Sequence, residues 1–156
     1  MIIDDWDIAN SYINEWKELG YTIVFTNGCF DILHRGHIEI LLAAKKKGDR
    51  LVVGLNGDQS VQRLKGHGRP LQPFDDRAII LDALEVVDMV VGFAEDTPAE
   101  IISKILPNIL VKGGDYTTNS LVGADTVIAN GGTVETIPLV PGKSTTKLLD
   151  QIIKSK

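Results

Sequence analysis

Two histidines three residues apart, His34 and His37, close the segment Thr26-Asn27-Gly28-Cys29-Phe30-Asp31-Ile32-Leu33-His34-Arg35-Gly36-His37. Imidazoles in such a segment can donate hydrogen bonds to an anion. The preceding run Tyr21-Thr22-Ile23-Val24-Phe25 reads as a buried strand, and Ile38, Leu41 and Leu42 keep helical spacing after Gly36, so the pair sits where strand becomes helix. A helix start offers unpaired N–H groups and the positive end of the macrodipole, worth roughly 0.3–1 kcal/mol to an anion placed there. Gly28 and Gly36 lack the Cβ atoms that would hold a phosphate away. From residue types alone two other readings stand: a solvated or core histidine pair at a helix start, and a zinc site to which only His67 adds a third imidazole.

Other groups share this chemistry. Arg63, Lys65 and Arg69 surround a glycine-rich stretch and Arg77 opens the next helix; each suits an anionic ligand, and each is as readily a solvated surface charge. Lys112-Gly113-Gly114-Asp115-Tyr116 follows the apolar run Ile109-Leu110-Val111, where glycine lets backbone approach a flat ring and Tyr116 can pack beside it; a simple turn is the alternative. Gly142-Lys143-Ser144-Thr145-Thr146 precedes Leu148, Leu149, Ile152 and Ile153, with Ser144 a natural helix cap worth about 1 kcal/mol even without a ligand. Asp31 suits tying down its loop through backbone N–H bonds, and Cys29 a small buried hydrophobe.

The elements that must position these groups alternate. Helices are expected near 5–19, 36–47, 58–64, 74–84, 97–105, 119–130 and 144–154, and strands near 21–26, 50–56, 88–93, 109–112 and 133–138. This predicts an α/β fold, a Rossmann-like doubly wound parallel five-stranded sheet with helices on both faces and ligands beyond the strand carboxyl ends. Residues 65–73 alone are long and glycine-rich enough for a mobile flap. The expectation is a single domain over 1–156, with 1–20 an amphipathic helix packed on it.

Composition narrows the classes. A net charge of −5 argues against nucleic acid, whose binders carry a basic face. One cysteine forms no internal disulfide, and no apolar run reaches the roughly 18 residues of a membrane span. The start lacks a signal pattern, so no membrane partner and a cytoplasmic location are expected.

His34-Arg35-Gly36-His37 matches the His-x-Gly-His signature of a nucleotidyltransferase superfamily. The match continues in order through Asn56-Gly57-Asp58-Gln59-Ser60-Val61, Arg63-Leu64-Lys65-Gly66, Gly68-Arg69-Pro70, Arg77, Leu110 to Tyr116, and Gly142 to Thr146. Over residues 21–153 the chain resembles the cytidylyltransferase-like family, and most closely its heptose 1-phosphate adenylyltransferases. The resemblance implies transfer of AMP from ATP to a sugar 1-phosphate, D-glycero-β-D-manno-heptose 1-phosphate, giving ADP-heptose and pyrophosphate for lipopolysaccharide assembly. Mg²⁺ would accompany ATP, with no protein metal ligands, and the enzyme would be a homodimer.

By the same resemblance His34, His37, Lys65 and Arg77 are catalytic contacts. Thr26, Asn27, Gly28, Cys29, Phe30, Gly36, Lys112, Gly113, Asp115, Tyr116, Ser144, Thr145 and Thr146 are nucleotide contacts. Cytidine-specific relatives tend to carry Gly-Asp-Asp-Trp near Tyr116 and an arginine just before the Ser-Thr-Thr motif; here Leu139-Val140-Pro141 supplies none, which favours ATP and leaves Lys143 to replace that charge. The alternatives are a cytidylyltransferase acting on glycerol 3-phosphate or a related alcohol phosphate, and a non-catalytic nucleotide sensor.

Overall fold

Apolar runs bounded by turn residues form the strands, and because both sheet faces are covered the runs are nearly continuous in hydrophobicity. The computed structural model describes residues 1–114 and 121–155. Its elements follow in chain order as β1 (Ile2–Ile3), α1 (Trp6–Glu18), β2 (Ile23–Gly28), α2 (Arg35–Lys45), β3 (Arg50–Asn56), α3 (Asp58–Lys65) and α4 (Phe74–Asp82). Then come β4 (Met89–Phe93), α5 (Ala99–Ile105), β5 (Ile109–Gly113), α6 (Ala124–Ala129), β6 (Thr133–Ile137) and α7 (Thr145–Lys154).

The strands form one parallel sheet in the order β1-β4-β3-β2-β5-β6. The doubly wound parallel architecture therefore holds, with six strands where five were expected. The extra strand is β1, whose Ile2 and Ile3 pair with Val90 and Val91. Two residues are too short for any periodicity to register.

Strand alternation sends side chains to two cores. Ile23, Phe25, Val52 and Val91 pack with Ile13 of α1 and with Ile101, Ile102 and Ile105 of α5. Val24, Leu51, Val53 and Val90 pack on the other face with Leu41 and Ala44 of α2 and with Ala78 and Leu81 of α4. At the edge away from the histidines, Asp88 accepts from Leu51 N at 2.7 Å and Lys45 Nζ at 2.5 Å, which gives one lysine of the Lys45-Lys46-Lys47 run a structural partner.

The chain winds outward from β2 through β3 to β4, then returns across to β5 on the other side of β2. The direction of winding reverses between β2 and β5, and a crevice opens beyond the carboxyl ends of strands at such a reversal. The segment from Thr26 to His37 leaves β2 directly into it, and Lys112-Gly113 ends β5 beside it.

Gly54, paired with Asn27, keeps β3 close to its neighbour: a Cβ there would lie 2.6 Å from Phe25 Cζ and 3.2 Å from Asn27 Cβ. Phe25 is fully buried. Gly54→Ala is therefore expected to overpack the core and lower stability by about 1–3 kcal/mol. Urea unfolding checks this, and an unchanged midpoint would show that the ring relaxes at no cost.

Candidate active site

The cleft at the β2/β5 reversal has a volume of about 620 Å³, in the usual range for a small-molecule site. His34 caps α2. Its Nδ1 accepts from Gly36 N at 3.0 Å, while His37 Nδ1 accepts from His34 N at 3.4 Å. The two rings stack with centroids 3.9 Å apart, and Phe30 packs against His37 at 5.3 Å. An Nδ1 that accepts an N–H bond must keep its lone pair, so each neutral ring carries its proton on Nε2. Burial, then the charge of its stacked neighbour, lowers the His37 pKa to about 4, against a weaker upward pull from Asp31. Burial, then Lys143, lowers that of His34. At neutral pH the pair thus forms two uncharged Nε2–H donors.

Glycines surround them for a reason the sequence does not show. A Cβ on Gly36 would lie 2.8 Å from His34 Cε1, and one on Gly28 would lie 3.1 Å from Phe30 Cε2. At either position a larger residue would meet the neighbouring ring.

Asp31 is buried and accepts from Arg69 Nε at 2.6 Å, from Leu71 N and from Gln72 N. Burial pushes its carboxyl up, but these bonds outweigh it and hold the pKa below the usual carboxylate value. The flap expected over 65–73 is accordingly fixed at Arg69, Leu71 and Gln72. The main-chain oxygen of Asp31 accepts from Thr145 Oγ1 at 2.9 Å, so the start of α7 is fastened to the same turn.

Arg77 requires a correction. Expected as a contact for phosphate or substrate, it is instead buried beneath the cleft. Its Nη1 donates to Cys29 O at 2.6 Å and Asn56 O at 2.9 Å, its Nε to Gln72 O and its Nη2 to Asp58 Oδ1. Four of five N–H donors are spent on holding two strand ends, the loop and the start of α3 in register, so Arg77 is a positioning residue. Its signal in the sequence is that of any helical arginine.

The structure brings Thr26, Asn27, Gly28, Cys29, Phe30 and Gly36 to one wall, with Lys65, Lys112, Gly113, Ser144 and Thr145 around it. Lys112 Nζ reaches across the reversal to Asn27 O at 3.3 Å and Asn27 Oδ1 at 3.2 Å. Burial is the main cause that lowers its pKa. Cys29 lines the cleft and is only partly buried, contrary to the expectation of a core residue, and burial raises its thiol pKa. Ser144 caps α7, accepting from Lys147 N at 3.2 Å, whereas Thr146 is exposed and lies off the lining. Asp115 and Tyr116 fall outside the described residues.

Arg63 is taken by Asp96 Oδ1 at 2.5 Å and Ala94 O at 2.7 Å. Among the described residues no three His, Cys, Asp or Glu gather as a metal site. Asp96, which sequence reasoning missed, and Asn56, Leu139 and Val140, which it did not name as contacts, also line the cleft.

Two outcomes follow. Imidazole NMR of the free protein is expected to find His37 as the Nε2–H tautomer and neutral down to about pH 4, where protonation breaks its Nδ1 bond; titration near 6.5 would contradict the geometry. The lowered Asp31 pKa contributes stability in full above the unfolded carboxylate value, and loses it as pH falls through the folded one. Asp31→Asn should flatten that acid limb, cost about 1–3 kcal/mol at neutral pH, and speed amide exchange at Leu71 and Gln72.

The family model described as Cytidylyltransferase-like matches residues 25–145. The Bifunctional protein HldE of Granulibacter bethesdensis is 54% identical over 144 residues, 92% of this chain and 30% of that protein. The protein of the same name from Rhodopseudomonas palustris is 55% identical over 138 residues, 88% of this chain and 28% of its own length. The chain spans about three-tenths of these relatives. A lipopolysaccharide core biosynthesis protein from Thermoplasma volcanium superposes with a TM-score of 0.64 at 28% identity, covering 78% of this chain and 98% of that one. Pantoate-beta-alanine ligase from Francisella tularensis, at a TM-score of 0.64 and 12% identity over 100% of this chain and 80% of that one, shares the fold. With a family model covering most of its length and relatives above half identity, this chain belongs to the cytidylyltransferase-like family.

Proposed function

We propose that the chain is an adenylyltransferase that joins ATP and D-glycero-β-D-manno-heptose 1-phosphate, giving ADP-heptose and pyrophosphate in the cytoplasm, as a homodimer. The observation that carries the chemistry is the pair of neutral Nε2–H donors in a cleft lined by four cations and two carboxylates, within a chain of net charge −5. Those carboxylates are engaged, Asp31 by Arg69 and Asp96 by Arg63. The homologues named HldE, the motif set of heptose adenylyltransferases and the lipopolysaccharide title of one structural neighbour support the acceptor.

In this reading an oxygen of the sugar phosphate attacks Pα of ATP while the bond from Pα to the bridging oxygen breaks. Little covalent work falls to protein; positioning and charge stabilisation do most of it. His34 and His37 donate to the α and β phosphates, and their bonds strengthen as charge grows there. Lys65 faces the same anion from the end of α3, Ser144 and Thr145 approach the far phosphates, and the base lies toward Lys112 and Gly113. Magnesium accompanying the triphosphate would supply charge neutralisation there, and because both cleft carboxylates, Asp31 and Asp96, are engaged by arginines, the chain's own residues would contribute few ligands to it.

Pyrophosphate release with Mg²⁺, pairing ATP or CTP with heptose 1-phosphate or glycerol 3-phosphate, tests the reading. Release confined to ATP with heptose 1-phosphate is expected. Release with CTP and glycerol 3-phosphate would overturn the specificity, and nucleotide binding without release in any pairing would favour a sensor. His37→Ala should lower turnover about 100- to 1000-fold with a modest loss of ATP affinity; undiminished turnover would remove His37 from the mechanism.

A further inference from the structure

Asn56 ends β3 and lines the cleft, only 3% exposed, and its side-chain amide has no part in this scheme. The hydrogen bonds around it settle which way that amide faces. Ser60, fully buried in α3, has one hydroxyl hydrogen and gives it to Glu95 O at 2.8 Å, a carbonyl that can only accept. Ser60 Oγ is left with lone pairs alone, so its second partner, 3.0 Å away, is an Asn56 Nδ2–H donor. A network of this kind distinguishes amide nitrogen from oxygen, and here it turns Oδ1 away from Ser60. The backbone is pinned too, since Asn56 O accepts from Arg77 Nη1 at 2.9 Å.

Among the described residues Oδ1 has no hydrogen-bond partner, and it is not sealed from solvent, so it opens into the cleft that Asn56 lines. Buried amides ordinarily find their partners within the fold; this one has its nitrogen provided for and its oxygen left to the cleft. Position tells which part of a ligand meets it. β2 lies between β3 and β5, with the histidines following β2 and Lys112 and Gly113 ending β5. With the triphosphate over β2 and the base toward β5, the β3 side is left to the acceptor. Leu64, Lys65 and Thr97 line the cleft there. A phosphate would set its own oxygens against Oδ1, whereas a hydroxyl brings the donor that Oδ1 lacks.

We propose that Asn56 is a specificity residue for the acceptor: its Oδ1 accepts a hydrogen bond from a sugar hydroxyl, and Ser60, fixed by Glu95 O, holds the amide in that orientation. This rests on the adenylyl-transfer reading. A site built to pair with a hydroxyl rejects an analogue that lacks it, because the oxygen is then covered and left unpaired. Ser60 touches nothing bound and is a positioning residue.

Calorimetry of heptose 1-phosphate binding to the full chain, with Mg²⁺ and a non-hydrolysable ATP analogue present, tests this without turnover. Asn56→Leu, close in volume but without an acceptor, is expected to weaken the sugar phosphate about 10- to 100-fold while affinity for the ATP analogue stays within about twofold. Ser60→Ala should weaken the sugar phosphate by less, about three- to tenfold, and also spare the analogue, because the amide loses the partner that turns it. Monodeoxy heptose 1-phosphates identify the hydroxyl: one of them should bind the unsubstituted chain weakly and lose nothing further with Asn56→Leu. Unchanged sugar-phosphate affinity in Asn56→Leu, equal losses of both ligands in both variants, or deoxy analogues that all remain sensitive to Asn56→Leu would overturn the proposal. If the sugar phosphate binds in this Asn56-dependent way but no pyrophosphate is released with ATP, the adenylyl-transfer reading fails and the contact stands. If pyrophosphate is released while Asn56→Leu leaves acceptor affinity unchanged, the reading stands and the contact falls.

Discussion

The buried guanidinium of Arg77 is the constraint on which the ligand-facing edge depends. An unpaired charge in that position would cost several kcal/mol, so it is tolerated only because Cys29 O, Asn56 O, Gln72 O and the Asp58 carboxylate satisfy it. Those partners come from the turn after β2, the end of β3, the loop before α4 and the start of α3. Carbonyls at strand ends have no ladder partner beyond the sheet, and Arg77 supplies it for two of them. Residues 71 and 72 are then held from two sides, since Asp31 takes their N–H groups while Arg77 takes the Gln72 carbonyl. A cation and a carboxylate, neither facing the cleft as a free charge, thereby convert a glycine-rich loop into a wall.

That fastening sustains backbone strain. Phe30 and Ile32 adopt φ values of 46° and 57°, a region costly for side chains and most of all for a β-branched one. Each such residue typically costs about 1–3 kcal/mol, and such conformations persist where surrounding bonds over-determine them. Asp31 lies between the two, and its four hydrogen bonds to Arg69, Leu71 and Gln72 over-determine the turn. The sharp reversal sends Phe30 under His37 and delivers His34 to the cap of α2. The histidines then do two things at once: their Nδ1 atoms finish the helix start, and their Nε2–H groups remain for a ligand.

Much of this was legible from the chain. Strand and helix alternate with strong periodicity, so the parallel doubly wound sheet could be read, as could the histidines at a strand-to-helix junction and the capping role of Ser144. Three things could not. β1 has two residues and exists only because Met1 to Ile3 lies along β4, where Met1 O accepts from Val90 N. Arg77 looks like any charged residue of a first turn, because its burial depends on carbonyls some 20 and 50 positions away in sequence. The wall at Arg69 to Gln72 looked mobile because Gly66 and Gly68 announce flexibility locally, whereas its anchor is a carboxylate about 40 positions earlier. Local rules report propensity, and each of these features is a long-range hydrogen bond.

The electrostatic character of the cleft follows from which groups are left unspent. Two imidazolium rings stacked at 3.9 Å would repel each other, and burial already disfavours the charged form, so the pair is neutral and gives direction without charge. Positive charge resides instead on long, exposed side chains around the rim, Lys65 and Lys143, whose rotamer freedom lets them follow a ligand. For the proposed transfer at Pα, fixed neutral donors and adjustable rim cations suit different needs. The first must not bind the ground state too tightly, and the second must meet charge that appears as the bond breaks. A chain with net charge −5 can attract a polyanion because its cleft pairs off its own carboxylates internally and leaves these lysines facing outward.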